Sequence, residues 1–384
     1  MKKFLLAILA ITLMVVSAFG LFACNDGEEG EGALPNSGLV LTKYNGEDFY
    51  TVTGYDEEST AKTLTIPNKA EDGIAIKKIA EGAFDGCSYE EIVISSSVEE
   101  IGAGAFKNAV NLKKITLPFV GKYFNADAYP NQTPEGDSEP IDGDYSTVKA
   151  VNEQRSFGYI FATEIYEGGV LTESTLGEYF IPATLQTVVI APKADYEIPM
   201  QAFDSLIKIN KFEFSEKVVG IGQGAFKNAI FYNLEIPSSV ANIYDGAFEG
   251  AEIRQSLTFK ENSSLTKLNA KVFFDAKIKE IVIPNGVTTI SEECFGATVT
   301  TTNNVDTSTS ILEKVTLPQT LEKIERSAFK NCFNLKTVDV TNVASASVEL
   351  SDYAFLNCKK LVADSIKGIF SNTIENAFIG TKNA

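Results

Sequence analysis

Histidine and tryptophan are both absent from the 384 residues, which include only three methionines and five cysteines. Without histidine the chain lacks the usual Ser-His-Asp and Cys-His nucleophile pairs and every imidazole metal ligand. No two cysteines are spaced C-x-x-C, so the commonest zinc pattern is missing as well. Basic residues are outnumbered, 33 against 51 acidic ones, for a formal charge of −18. A surface that acidic repels phosphate backbones and anionic lipid headgroups, which argues against nucleic-acid or polybasic membrane binding. The hydrophobic share of 44% is enough for a sizeable core.

What is present begins with a processing segment. Lys2 and Lys3 precede an uncharged, mostly apolar run from Phe4 to Ala23, the layout of a secretory signal. Its end, Leu21-Phe22-Ala23-Cys24, resembles a bacterial lipobox. That resemblance implies a signal peptide over residues 1–23 and a lipid on Cys24, the sole expected membrane contact. Two other readings are an uncleaved anchor, since such a run can span a bilayer, and ordinary secretion with Cys24 as a free thiol. All three place the remainder outside the cytoplasm. Residues 24–38 are rich in Gly and Glu with little to bury, and read as a flexible tether spanning about 20 Å.

From residue 39 on, the chain repeats. EEIGAGAFKNAVNLKKITLP (Glu99–Pro118) returns as VVGIGQGAFKNAIFYNLEIP and as LEKIERSAFKNCFNLKTVDV. The phenylalanine of the AF dipeptide, or its equivalent, falls at Phe84, Phe106, Phe203, Phe226, Phe248, Phe273, Phe295, Phe329, Phe355 and Phe378. A base step of 22 or 23 residues with insertions is the signature of a solenoid. Two residues after the phenylalanine, Gly86, Asn108, Asn228, Gly250, Asn331 and Asn357 suit a left-handed turn. Cys87, Cys332 and Cys358 follow at a place where sister repeats carry alanine, so they read as small buried residues. Cys332 and Cys358 lie in successive coils, leaving a disulfide open. Short runs such as EIVIS, KITLP and KFEFS then alternate with period two, predicting one strand per coil with one buried face.

The pattern I-x-x-x-A-F-x-[NG]-[CA]-x-x-L-x-x-[IV]-x-[ILV]-P resembles the BspA-type leucine-rich repeats of bacterial surface proteins. Here it is carried by Ile101, Ala105-Phe106, Asn108-Ala109, Leu112, Ile115, Leu117 and Pro118. The resemblance covers about Leu39 to the C-terminus and implies a right-handed leucine-rich-repeat solenoid: a parallel β-sheet, mostly β, short turns and few helices. It also implies adhesion or ligand binding, and brings no catalytic residues. Residues 39–384 are expected to form one solenoid, with an N-terminal cap over 39–80, an insertion near 119–182 and a polar, mobile loop over 297–310.

Two surfaces compete for a ligand. The outward ladder of the sheet should read Val93, Thr116, Glu213, Glu235, Val282, Thr316 and Asp339, with Glu213, Glu235 and Asp339 as candidate contacts. The insertion holds eleven of the 14 tyrosines and 26 phenylalanines, among them Tyr123, Phe124, Tyr129 and Tyr145. Its SFGYIF stretch reads as strand-like scaffold, and residues 125–147 as a projecting recognition loop. The acidic residues there lack the ordered spacing of an EF-hand, leaving Asp137, Asp142 and Asp144 as weak metal candidates. Glu99 and Glu100 read as part of a solvated outward face. No cofactor is expected. The expected function is non-enzymatic, monomeric recognition of an extracellular protein or glycan at the cell surface. The alternatives are a structural envelope component and a polysaccharide-active β-helix enzyme, the latter argued against by acids that are scattered rather than clustered.

Overall fold

The computed structural model describes residues 38–124, 154–372 and 374–382. Cys24, the tether up to residue 37, and the site candidates Tyr129, Asp137, Asp142, Asp144 and Tyr145 lie outside them. Seven parallel strands pair in chain order: 63–66, 91–94, 114–117, 187–190, 209–214, 230–236 and 252–259. Their register aligns Leu64, Ile92, Ile115, Val188, Phe212, Leu234 and Leu257 as one buried rail, each at most 4% exposed. One residue further on, Thr65, Val93, Thr116, Val189 and Glu213 form the outward rail. The period-two alternation therefore sorts the two faces as the sequence predicts. Three more strands, 280–282, 314–316 and 337–339, take the same place in the last coils.

A second parallel ladder runs along another face, so many coils carry two strands rather than the one that the alternation predicts. Its parallel strands are two to six residues long. Its rail is Ile79–Ile101, then Ile198–Ile221–Ile243, then Leu268–Ile290–Ile324–Leu350, all buried. Most of these strands are too short for alternation to register in the sequence. At the N-terminal end Leu39–Thr42 pairs antiparallel with Tyr50–Tyr55, which in turn pairs parallel with Ile76–Ile79.

The AF corner joins the second ladder to the long sheet. From Phe226 to Phe378 successive rings stack at 5.0–5.4 Å with planes within 12° of parallel. Coils that share strand hydrogen bonds are spaced about 4.8 Å apart, which sets that ring spacing. Each stacked pair adds about 0.5–1.5 kcal/mol beyond the area it buries. The corner backbone is stitched too: Phe226 N donates to Ala247 O at 2.7 Å and Phe329 N to Ala354 O at 2.7 Å. The predicted left-handed residues Gly86, Asn108, Asn228, Gly250, Asn331 and Asn357 all have φ between 53° and 70°. A second left-handed position precedes the phenylalanine by two residues in most coils. Gly104, Gly224 and Gly246 fill it in some coils and Gln201, Lys271, Glu293, Ser327 and Tyr353 in others.

Two segments differ from expectation. SFGYIF is not a strand: Phe157–Ile160 is a 3₁₀ turn spliced into the corner ladder, with Phe106 N donating to Ile160 O and Phe157 N to Ala202 O, both at 2.8 Å. Ser156 Oγ accepts from Gly158 N at 3.1 Å, and a Cβ on Gly158 would sit 2.2 Å from the Tyr179 ring. That cap and that close approach select the turn. The polar stretch after Ala297 is an antiparallel hairpin, Val299–Thr302 against Val305–Ser308. Asn303 and Asn304 both have positive φ, the two-residue turn whose twist matches paired strands. Cys87, Cys294, Cys332 and Cys358 are buried free thiols, so Cys332 and Cys358 are not bonded to each other.

Candidate ligand groove

The second ladder is interrupted between Ile101 and Tyr196, and the interruption builds a groove. After strand Lys114–Leu117 the chain buries Phe119 and Val120, and Val120 N donates to Tyr196 Oη at 2.9 Å. Gly121 then passes so close to Gln154 that a Cβ would lie 2.2 Å from its carbonyl oxygen, at φ 83°. Only glycine fits there. Residues 122–124 turn back antiparallel along the edge of strand Glu100–Ile101. Ile101 N donates to Lys122 O at 2.9 Å and Phe124 N to Glu99 O at 3.1 Å. Phe124 stacks on Tyr196 with ring centres 5.9 Å apart and meets Phe119 edge-on.

The resulting groove has a volume of about 650 Å³. Phe49, Tyr123 and Phe124 form its apolar walls, with Glu47, Lys77, Lys78, Glu99, Glu100 and Lys193 around them. Its charges form two chains. Lys78 lies 3.5 Å from both Glu47 and Glu100, and Glu100 is 3.8 Å from Lys122. Glu99 lies 2.7 Å from Lys193 and 4.0 Å from Lys77. Burial works against the Lys78 ammonium, but Glu100 and Glu47 outweigh it and hold its pKa above the usual lysine value. Lys193, hydrogen-bonded to Glu99, pulls that carboxyl below its ordinary range. The ammoniums also sit against the rings: Lys78 lies 5.1 Å from the Phe49 centre, Lys122 4.8 Å from Tyr123 and Lys193 5.1 Å from Phe124. Glu47 Oε2 is buried without a hydrogen-bond partner.

Of the residues singled out in the sequence, Tyr123 and Phe124 come together in this groove. Glu213 and Glu235 sit on adjacent rungs of the long sheet's outward face, where Glu213 pairs with Lys211 at 2.8 Å. Asp339 belongs to the separate C-terminal sheet and caps a turn, accepting from Thr341 N at 3.1 Å and Thr341 Oγ1 at 2.8 Å. Those turn bonds hold its carboxyl below the ordinary range. The three carboxylates do not converge. Glu99 and Glu100 face outward as expected, but from the second ladder and into the groove, where the Glu100 side chain is 27% exposed. Glu47, Phe49, Lys77, Lys78 and Lys193 carried no signal as individual residues. The complementary pairs Lys77-Lys78 and Glu99-Glu100, at equivalent places 22 residues apart, were the legible hint. Among the described residues no group of three or more acids or cysteines is placed to hold a metal.

A second recess of about 530 Å³ opens where the long sheet ends, beside an irregular pairing at Ile253–Ser256. There Arg254 lies over the Tyr232 ring at 5.6 Å and its Nε is 2.8 Å from Glu252.

The family model described as BspA type leucine-rich repeat region matches residues 57–133, 177–302 and 303–384, in six copies. Among solved structures the chain is similar to a leucine-rich cell surface protein from Faecalibacterium prausnitzii A2-165. The identity is 18%, over 92% of this chain and 93% of that one, with TM-score 0.30. It is also similar to a leucine-rich repeat protein from Eubacterium ventriosum, at 14% identity over 84% and 94% of the two chains, TM-score 0.34. The pneumococcal vaccine antigen PcpA is 16% identical over 85% of this chain and 79% of that one, TM-score 0.33. No curated protein matches the chain.

Proposed function

The chain belongs to the BspA-type leucine-rich-repeat family, and we propose that it is a non-enzymatic recognition protein held outside the cytoplasm by a lipid on Cys24. Its ligand is an extracellular protein or glycan, taken up as a monomer in the groove of Phe49, Tyr123 and Phe124. The observation that carries this reading is the groove built where the second ladder is interrupted between Ile101 and Tyr196. Repeats that only stack have no need of a cleft, yet here three aromatic walls and six charged side chains are gathered around about 650 Å³. Ligand sites combine apolar walls with a few placed polar groups in this way. The absence of histidine and the burial of the four described thiols support a binding role over catalysis.

The test is binding of the purified chain to immobilised extracellular matrix proteins and glycans. A Phe124→Ala/Lys193→Met variant and a Glu213→Ala/Glu235→Ala variant run in parallel. Saturable binding lost only in the first is the expected result; loss only in the second moves the site to the sheet face. Absence of binding by the parent chain sinks the recognition reading for those ligands. Anchoring is read by mass spectrometry of the N-terminal peptide, with Cys24→Ser releasing the protein from membranes.

A further inference from the structure

We propose that the groove takes a neutral oligosaccharide rather than a peptide or a charged glycan. The inference rests on the recognition reading above and narrows it.

The charge pattern comes first. Lys77, Lys78, Lys122 and Lys193 each lie within 4.0 Å of Glu47, Glu99 or Glu100, and every one of those carboxylates has a lysine in turn. An anionic ligand would compete with those carboxylates for the lysines, and a cationic one would compete with the lysines for the carboxylates. Either exchange trades one ion pair for another and gains little. A ligand with hydroxyls can instead add hydrogen bonds to the outer lone pairs and N–H groups of the same pairs without breaking them. Glu47, whose Oε2 has no protein partner, can turn that oxygen toward such a hydroxyl because its side chain is 25% exposed.

The walls supply the second half. Phe49, Tyr123 and Phe124 line the same space, with Lys78, Lys122 and Lys193 each over one of the rings, so the aromatic surface left to a ligand lies beside the ammoniums. A hexose offers an apolar face of C–H groups with hydroxyls around its rim, so it can cover aromatic surface while its edge meets the carboxylate–lysine pairs.

The backbone closes off the main peptide mode. An extended peptide would dock by adding a strand to the open edge of the second ladder. That edge is already occupied: Ile101 N is bonded to Lys122 O and Phe124 N to Glu99 O.

The experiment is calorimetric titration of the full chain in mild detergent. The probes are neutral glucose, galactose, mannose and N-acetylglucosamine oligosaccharides, beside uronate and sulfated oligosaccharides and short acidic and basic peptides. Phe49→Ala and Glu47→Ala are compared with the parent chain, with thermal melting as the control for folding. The expected result is saturable binding of at least one neutral oligosaccharide. It should weaken about tenfold or more in each variant and change less than about twofold as salt rises from roughly 50 to 500 mM. Three results overturn the inference: no neutral oligosaccharide binds, both variants bind it as the parent does, or only charged glycans or peptides bind. A matrix protein captured through the groove without any neutral glycan leaves recognition standing and removes the oligosaccharide. Loss of all groove-dependent binding removes both.

Discussion

Lys193 and Glu99 are 94 residues apart in the chain and meet at 2.7 Å, the ammonium donating to Glu99 Oε1. The pair joins the two sides of the insertion and seats Lys193 over Phe124. It marks where two regular halves of the array are brought together around an irregular segment.

That pair and its counterparts set the response to acid. Glu99, held down mainly by Lys193, and Glu90, held at about 2 by Lys113 and Lys62, both titrate below their ordinary value of 4.5. A carboxyl with a depressed folded pKa contributes stability above its unfolded pKa and loses it as pH falls through the folded one. The melting temperature should therefore hold from pH 7 to about 5 and fall between about 4.5 and 2. Lys193→Met should cost less than about 1 kcal/mol at pH 7, because the Glu99 side chain is 46% exposed. The gap between variant and parent should close in acid, and a gap independent of pH would contradict the assignment.

The ring ladder predicts an asymmetry between core and groove phenylalanines. Phe329 is fully buried between Phe295 and Phe355, at 5.0 and 5.1 Å. Phe329→Ala should lower unfolding stability by about 3–5 kcal/mol. Phe49→Ala, at the groove wall, should stay within about 0.5 kcal/mol of the parent in the same denaturant titration.

The second left-handed position can be relieved. Gln201 holds φ 56° where Gly224 and Gly246 serve in neighbouring coils. Gln201→Gly should raise stability by about 0.5 kcal/mol, the left-handed penalty outweighing the added chain entropy. Asn331→Ala should act oppositely, by about 1–3 kcal/mol. It removes bonds to Ala297 O and from Asn357 Nδ2 while φ stays at 64°. Thermal melts of both variants check the pair of signs.

Thiol reactivity checks the interior of the coils. Burial pushes the Cys87 thiol up to about 11 and Cys332 up to about 12, and Cys358 is raised as well. In a Cys24→Ser chain at pH 8, a thiol-specific dye should label none of the remaining four cysteines until denaturant is added. Rapid labelling of the folded chain, or fewer than four thiols on denaturation, would contradict their burial as free thiols.

The hairpin at Val299–Ser308 hangs on one carboxylate. Asp275 accepts from Thr298 N at 2.6 Å, and its two oxygens take the Thr309 and Thr298 hydroxyls. Asp275→Ala should loosen the hairpin base by about 1 kcal/mol and speed proteolysis between Thr298 and Thr309, leaving the global melt near that of the parent.

Much of the coil is legible because it is local. Ile92 and Ile94 point inward since alternation has only one register that buries both. Asn108 and Asn228 announce their left-handed turn because few other residues tolerate it. Gln201, Lys271 and Tyr353 conceal the other left-handed corner, where stacking on the neighbouring coil overrides residue preference. The short strand ending at Ile101 is hidden for a related reason: two residues make no period, and its partner is another coil.

By itself, then, the sequence determines a stack of coils with a phenylalanine corner and an alternating strand, since both follow from short-range spacing repeated many times. It marks Tyr123 and Phe124 as unusual only through the density of aromatics around them. Tertiary structure alone decides that these rings share a cleft with Glu47, Phe49, Lys78 and Lys193. The cleft exists because residues 122–124 fold back onto a strand edge and displace one rung of the second ladder. Such a departure has no period, and the contacts that fix it are separated by up to 94 residues.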